Sequence, residues 1–275
     1  MFKRIGWLAA LGGAAGALYY AARIEPRRFD IVEIDLPLDG LDPVFDGWKV
    51  VQISDIHMNG GMTRERLGEI VAIINGHAPE VIVITGDFAT RRRGFVPQDL
   101  LVPLRELRAK EAIIATLGNH DYKLHRAAVR YVIRESGLTL LNNAVYTIRR
   151  GEACLHFAGV ESVLRRRARL DLTLPALAQE GAAILLAHEP DFAEIAAATK
   201  RFALQLSGHS HGGQIRVPIL TRFALPAYSQ RYTMGAYRVG KMMLYVNRGV
   251  GTVGVPLRFN CPPEITVFTL HAPPE

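Results

Sequence analysis

Lys49-Val50-Val51-Gln52-Ile53-Ser54-Asp55-Ile56-His57 is the stretch on which the fold turns. Its apolar, β-branched run reads as a buried strand, and it stops at two side chains, Asp55 and His57, that bind metals or move protons. The same plan recurs along the chain. Glu80 to Thr85 is a strand ending at Gly86-Asp87, and Glu111 to Thr116 one ending at Gly118-Asn119-His120-Asp121. Ala182 to Ala187 ends at His188-Glu189-Pro190, and Ala203 to Ser207 ends at Gly208-His209-Ser210-His211-Gly212-Gly213-Gln214. Between the first strands the period changes to that of a helix. Thr63 can cap a helix to about Asn75 with Leu67, Ile70, Val71 and Ile74 on one face. Pro97 opens another through about Arg108. Nearly all-apolar strands alternating with helices predict an α/β fold whose sheet is covered on both faces. In open α/β sheets sites lie beyond the carboxyl ends of strands, which is where these polar motifs fall.

Outward from this core, residues 25–47 read as a connector with Pro26, Pro37 and Pro43, in which Ile31 to Leu36 alternates as an edge strand would. Tyr122 to Ser136 is expected to be helical. Thr139 to Ile148 and Ala153 to Gly159 are expected strands, Leu172 to Glu180 a helix, and Asp191 to Thr199 a helix capped by its own Asp191. The remainder turns to β: Gln214 to Val217, Tyr237 to Val239, Met242 to Asn247 and Glu264 to Leu270. The chain shows no internal repeat and no low-complexity tract.

A chain of 275 residues suits one large domain, and 49% apolar with 21% charged residues excludes a disordered protein. Two cysteines, Cys154 and Cys261, make no disulfide framework and read as buried small hydrophobes. The net charge of +7 suits nucleic acid, anionic lipid or a polyanionic substrate. No nucleic-acid motif accompanies it, so no nucleic-acid partner is expected. Arg91-Arg92-Arg93 and Arg165-Arg166-Arg167 lie in expected loops beside the polar motifs, where they can face an anionic substrate.

Five of the nine histidines (His57, His120, His188, His209 and His211) fall inside the motifs. Carboxylate, imidazole and carboxamide together suit Mn²⁺, Fe or Zn²⁺, with Mn²⁺ the expected ion. The order and content of the five motifs resemble the calcineurin-like metallophosphoesterase family from about Trp48 to Leu270. That resemblance, like the element order, implies a four-layer α/β/β/α sandwich. It implies one metal on Asp55, His57, Asp87 and His211, and a second on Asp87, Asn119, His188 and His209, with Asp87 bridging. Two ions would neutralise phosphate oxygens and lower the pKa of a bridging water, whose hydroxide attacks phosphorus in line. His120 resembles the family's non-ligand histidine, which steadies the transition state or protonates the leaving group. Asp121 either fixes the His120 ring or is a helix N-terminal carboxylate. Gln214 reads as the start of a strand.

Lys3 and Arg4 precede an uncharged stretch, Ile5 to Ala22, of about 18 residues, barely enough to span a bilayer. The expectation is an uncleaved anchor over residues 1–24, with a cleaved signal segment (Ala15-Gly16-Ala17) or an interfacial helix as alternatives, and the phosphoesterase domain over 48–275. This segment, the Gly208–Gln214 motif and the tail from Tyr245 to Ile265 look like the membrane-associated bacterial branch of the family. The resemblance implies a single-anchored enzyme of the bacterial inner membrane, leaning to its cytoplasmic face. Its substrate would be a phosphodiester or pyrophosphate such as UDP-2,3-diacylglucosamine, a lipid-linked nucleotide of lipid A synthesis. The alternatives are an exported envelope phosphodiesterase, a nuclease suggested by the basic charge, and a non-catalytic scaffold of the same fold. Phe223, Leu225, Tyr228, Tyr232 and Met234 form either an apolar rim for acyl chains or a cover for a sheet edge. The oligomeric state is not legible.

Overall fold

The computed structural model describes residues 12–90, 94–123, 126–219 and 221–273. It is a mixed α/β fold with two six-stranded sheets. The first has the order β1 (Asp30–Pro37), β12 (Glu264–His271), β2 (Lys49–Ile53), β3 (Val81–Thr85), β4 (Ala112–Thr116), β5 (Thr139–Leu140). The second runs β10 (Gly235–Val239), β11 (Met242–Val246), β9 (Leu204–Ser207), β8 (Ala182–Leu186), β7 (Ala153–Gly159), β6 (Ala144–Arg150). β2 through β5 are parallel, as are β7, β8, β9 and β11.

Alternation along β3 shows how these residues build the layers. Ile82 and Ile84 face a cluster with Leu67, Ile70, Val71 and Ile74 of the helix Arg64–Gly76, while Val81 and Val83 face the other way, onto Phe157, Ile184 and Leu206 of the second sheet. A third cluster joins the far side of the second sheet to Phe192, Ala193 and Ala196. The stripe expected on that helix is the one buried, and the Thr63 side chain accepts from Arg66 N at 3.3 Å as its cap. Truncating Leu67 to Ala there would cost about 2–5 kcal/mol.

Several elements differ from expectation. Residues 139–148 do not form one strand. β5 ends the first sheet, the chain turns at Asn143 (φ 54), and β6 begins the second. Asn142-Asn143 is turn chemistry interrupting an apolar run. The helix expected over Leu172–Glu180 is a short turn, Leu170–Thr173, followed by a 3₁₀ turn at Leu174–Ala176, because Pro175 cannot extend it. Asp191 caps no helix; its carboxylate accepts from the backbone of Gln230, Arg231 and Tyr232. No strand forms over 214–217, where Gln214 has φ 51 and Ile215 makes an isolated bridge to Phe259.

The single N-terminal anchor in the inner membrane is overturned. Among the described residues no helix is long and apolar enough to cross a membrane. The helix described from residue 12 to 19 gives way at Tyr20–Ile24 to a π turn and at Glu25–Arg27 to a 3₁₀ turn. Ala21 and Glu25 are buried against the domain. The Ala21 carbonyl accepts from Arg258 N at 2.9 Å, and the Glu25 carboxylate accepts from Asn260 N at 2.9 Å and from Cys261 N. The first eleven residues, and the Arg91–Arg93 cluster, lie outside the described residues.

Candidate active site

The turns after β2, β3 and β4 of the first sheet and after β8 and β9 of the second meet, and they carry every residue that the motifs singled out. His57 Nε2 lies 3.4 Å from Asp87 Oδ2 and 3.7 Å from Asp55 Oδ1. His211 Nε2 lies 3.3 Å from Asp55 Oδ1 and 3.0 Å from His57 Nε2. His188 Nε2 lies 3.4 Å from Asp87 Oδ2. Ligand atoms within 4.8 Å of one another join Asp55, His57 and His211, then Asp55, Asp87 and His188, and also His57, Asp87 and His120. The third group places His120 nearer to ligand geometry than a purely non-ligand role requires.

Second-atom contacts fix how the rings present themselves. His188 Nδ1 lies 2.7 Å from the Thr85 carbonyl, to which it donates, and this leaves Nε2 free to ligate. His209 Nε2 donates to the Ala227 carbonyl at 2.9 Å, and this leaves Nδ1. The His209 ring packs 5.0 Å, centroid to centroid, from that of His188. Asp55 Oδ2 accepts from His209 N and Asp87 Oδ1 from His120 N, so each carboxylate spends one oxygen on the backbone. Asp55 Oδ1, Asn119 Oδ1 and His188 Nε2 are buried with no hydrogen-bond partner. Buried polar atoms are rarely left so. A cluster of orphaned oxygen and nitrogen donors fits divalent cations, and two of them by the number of ligand atoms.

The charges agree. Burial alone would raise the Asp55 carboxyl, but His211, His57 and His188 outweigh it and hold it well below the usual range. Asp87 is likewise held down against burial by His188 and His57. The same carboxylates, against burial, push His188 well above the usual imidazole value. Burial lowers His211 to about 4 despite Asp55, and lowers His120 to about 4 despite Asp87.

The turns reach this geometry by positive φ at the candidate ligands themselves: Asp55 (53), His57 (47), Asp87 (57), His209 (69) and His211 (52). Non-glycine residues seldom sit there, and such strain clusters at functional sites. Gly86, Gly118 and Gly208 each precede a candidate ligand, but they do not all do the turning. Only Gly86 does (φ 95), and a Cβ on it would lie 2.8 Å from His188 Nδ1. Gly118 and Gly208 are needed for room, since a Cβ would collide with Asp87 at the first and with Ser54 and Asp55 at the second.

Asp121 does neither of the things expected of it. Its carboxylate accepts from Asp87 N, Gly118 N and Ala89 N, while His120 Nδ1 has no partner. It ties two ligand-bearing turns together. Burial and the Asp87 charge push its carboxyl up to about 7, against the pull of the backbone N–H groups. Gln214 is a clamp. Its Nε2 donates to the Val253 and Val255 carbonyls, and its Oε1 accepts from Val253 N. Glu189 anchors the loop opposite through Ser162 Oγ, Val163 N and Leu164 N. From that loop Arg165 Nε donates to the Asn119 carbonyl at 3.1 Å, so one member of the 165–167 cluster adjoins the site. The apolar set splits: Tyr232 is buried beside Tyr237, whereas Phe223 is 72% exposed.

Sequence reasoning missed Arg258, the largest fully buried side chain among the described residues. Its guanidinium donates to the carbonyls of Arg248, Gly249, Gly251 and Cys261. The loop it holds presses on the first ligand turn, with Val250 N donating to Ser54 O and Gly251 N to Asp55 O. A Cβ at Gly249 would lie 2.7 Å from Asp55 Cβ. An isolated arginine in a Gly- and Pro-rich tail carries no periodic signal.

With this geometry in hand, comparison with known proteins gives one family. A profile of the calcineurin-like phosphoesterases matches residues 49–213. The chain is 36% identical to an uncharacterized metallophosphoesterase of Bacillus subtilis, YkuE, over 97% of this chain and 94% of that one. It is 26% identical to the Escherichia coli phosphodiesterase YaeI over 95% and 94% of the two chains. Match and ligand cluster agree, and the chain belongs to the calcineurin-like phosphoesterases, as a metal-dependent hydrolase of phosphoric esters.

Proposed function

We propose that the protein is a phosphodiesterase working with two divalent ions, Mn²⁺ best suited to the donor set. The observation that carries this is the set of orphaned buried donors, Asp55 Oδ1, Asn119 Oδ1 and His188 Nε2, in a cluster whose members Asp87, Asn119, His209 and His211 line a cavity of about 460 Å³. Asp55, His57, Asp87 and His211 would hold one ion, and Asp87, Asn119, His188 and His209 the other. When bound, such ions neutralise phosphate oxygens and supply a nucleophile at neutral pH. The chain's own residues do the rest. His120 lines the cavity and, with its pKa near 4, is neutral at pH 7. It therefore acts as a hydrogen-bond donor to the phosphoryl or leaving oxygen, and not as an imidazolium. Lys123 lines the same cavity and has no ion-pair partner among the described residues, so it meets the anionic substrate. Leu164, Ile215, Pro226 and Val253 are apolar members of the lining and keep water from the ester. The name of the Escherichia coli relative supports the diester over the monoester.

The test is hydrolysis of bis(p-nitrophenyl) phosphate and of p-nitrophenyl phosphate by the Mn²⁺-loaded protein, with Asp87→Ala as the blank. A preference for the diester is expected. Equal rates from the parent and Asp87→Ala would sink the proposal.

A further inference from the structure

A second cavity of about 350 Å³ lies on the far side of the loop that holds Asp55, and its lining includes Arg23, Arg27 and Arg66. Its wall includes Gly61, Gly251 and Thr252, and Thr252 Oγ1 donates to the Gly60 carbonyl to close that side. Among the described residues none of the three arginines has a carboxylate partner. Arg66 is the telling one. Its guanidinium lies 5.0 Å over the Phe29 ring, and its Nε and Nη2 are buried with no hydrogen-bond partner. Burial first, then the nearby Arg258 and Arg27, lower it to about 10. Like charges gathered around a cavity, with buried donors unspent, are costly unless an anion completes them.

We propose that Arg23, Arg27 and Arg66 form a binding site for a phosphoryl dianion, separate from the metal centre. A carboxylate is satisfied by one guanidinium in a two-pronged pair, whereas a phosphoryl group offers three oxygens and two charges to several. The site has the charge for the second. Free phosphate and a phosphomonoester headgroup share that chemistry.

The experiment is calorimetric titration of inorganic phosphate, and separately of glycerol 1-phosphate, into the Mn²⁺-loaded full chain at constant ionic strength. Two classes of phosphate site are expected in the parent, one of them the metal centre. Arg66→Gln should weaken the other class roughly ten- to a hundredfold, leaving diester hydrolysis unchanged. Arg27→Gln, at an exposed residue, gives the same reading if Arg66→Gln folds poorly. Thermal unfolding provides a second readout. Phosphate should raise the melting temperature of the parent more than that of either variant. Tighter binding of glycerol 1-phosphate would mark an ester as the ligand, and equal binding would mark free phosphate. Unchanged phosphate stoichiometry and affinity in both variants would overturn the site, whatever the diester assay shows.

Discussion

Replacing Asp121 separates a turn-tying residue from a ring-orienting one. Its Oδ2 accepts from Gly118 N at 2.9 Å and Asp87 N at 3.0 Å, and its Oδ1 from Ala89 N at 3.2 Å. In Asp121→Asn the amide oxygen can keep the first pair. The amide nitrogen then faces Ala89 N–H, donor against donor. One charge-assisted bond is lost and one buried N–H is stranded, so stability should fall by about 2–3 kcal/mol. Asp121→Ala strands all three N–H groups and should cost about 4–6 kcal/mol, near the whole stability of a marginal domain. Urea unfolding at pH 8, where the carboxyl is ionised, reads both values. Mn²⁺ titration should show weaker binding in Asp121→Asn, because the backbone of Asp87 and Gly118 sets where the ligand turns sit. A ring-orienting residue would behave otherwise, lowering kcat with stability and metal affinity intact. Stability of Asp121→Asn within about 0.5 kcal/mol of the parent would refute the reasoning.

Other expectations rest on single contacts. Asp87→Ala should abolish turnover and loosen both ions, read by metal content after gel filtration; retained activity would remove Asp87 as the bridge. His120→Ala should keep both ions while lowering kcat by about 10²–10⁴-fold. Loss of metal in that variant would make His120 a ligand, as its place beside His57 and Asp87 allows. His188 is raised above its ordinary value by Asp87 and Asp55, against burial, so an ion must displace its proton. Mn²⁺ affinity should therefore fall as pH drops through that raised pKa. The metal-free protein should behave in the opposite sense. It keeps the charged His188 pair at low pH and loses that stabilisation as pH rises through the raised pKa, which melting curves in EDTA across pH 6–9 would show. Arg258→Met should cost more than about 3 kcal/mol, since it strands four buried carbonyls that the guanidinium now satisfies.

What could be read from the sequence and what could not divide along a physical line. Leu67, Ile70, Val71 and Ile74 announce a helix face because burial repeats every turn, and β3 announces a doubly covered strand because every residue in Val81–Thr85 is buried. The polar cluster was visible because five motifs rich in oxygen and nitrogen donors fall at strand ends, which the fold brings together. Their conformation was not visible, since positive φ at Asp55, His57 and His211 is imposed by tertiary contact, and the preference of Asp and His for that region is too weak to announce it. The turn at Asn142-Asn143 was legible in principle, yet the apolar residues on either side outvoted it, and one expected strand proved to be two in different sheets. Arg258, Gln214 and Asp121 were misread or missed for a common reason. Each spends its polar atoms on the backbone of neighbouring loops, tying together the turns around the candidate metal site. Such residues are single points in the sequence, and only the fold shows what they hold. The N-terminal stretch was misjudged on composition alone. Its apolar residues suggested a span, but the buried Ala21 and Glu25, bonded to Arg258, Asn260 and Cys261, make its last turns part of the wall behind Asp55.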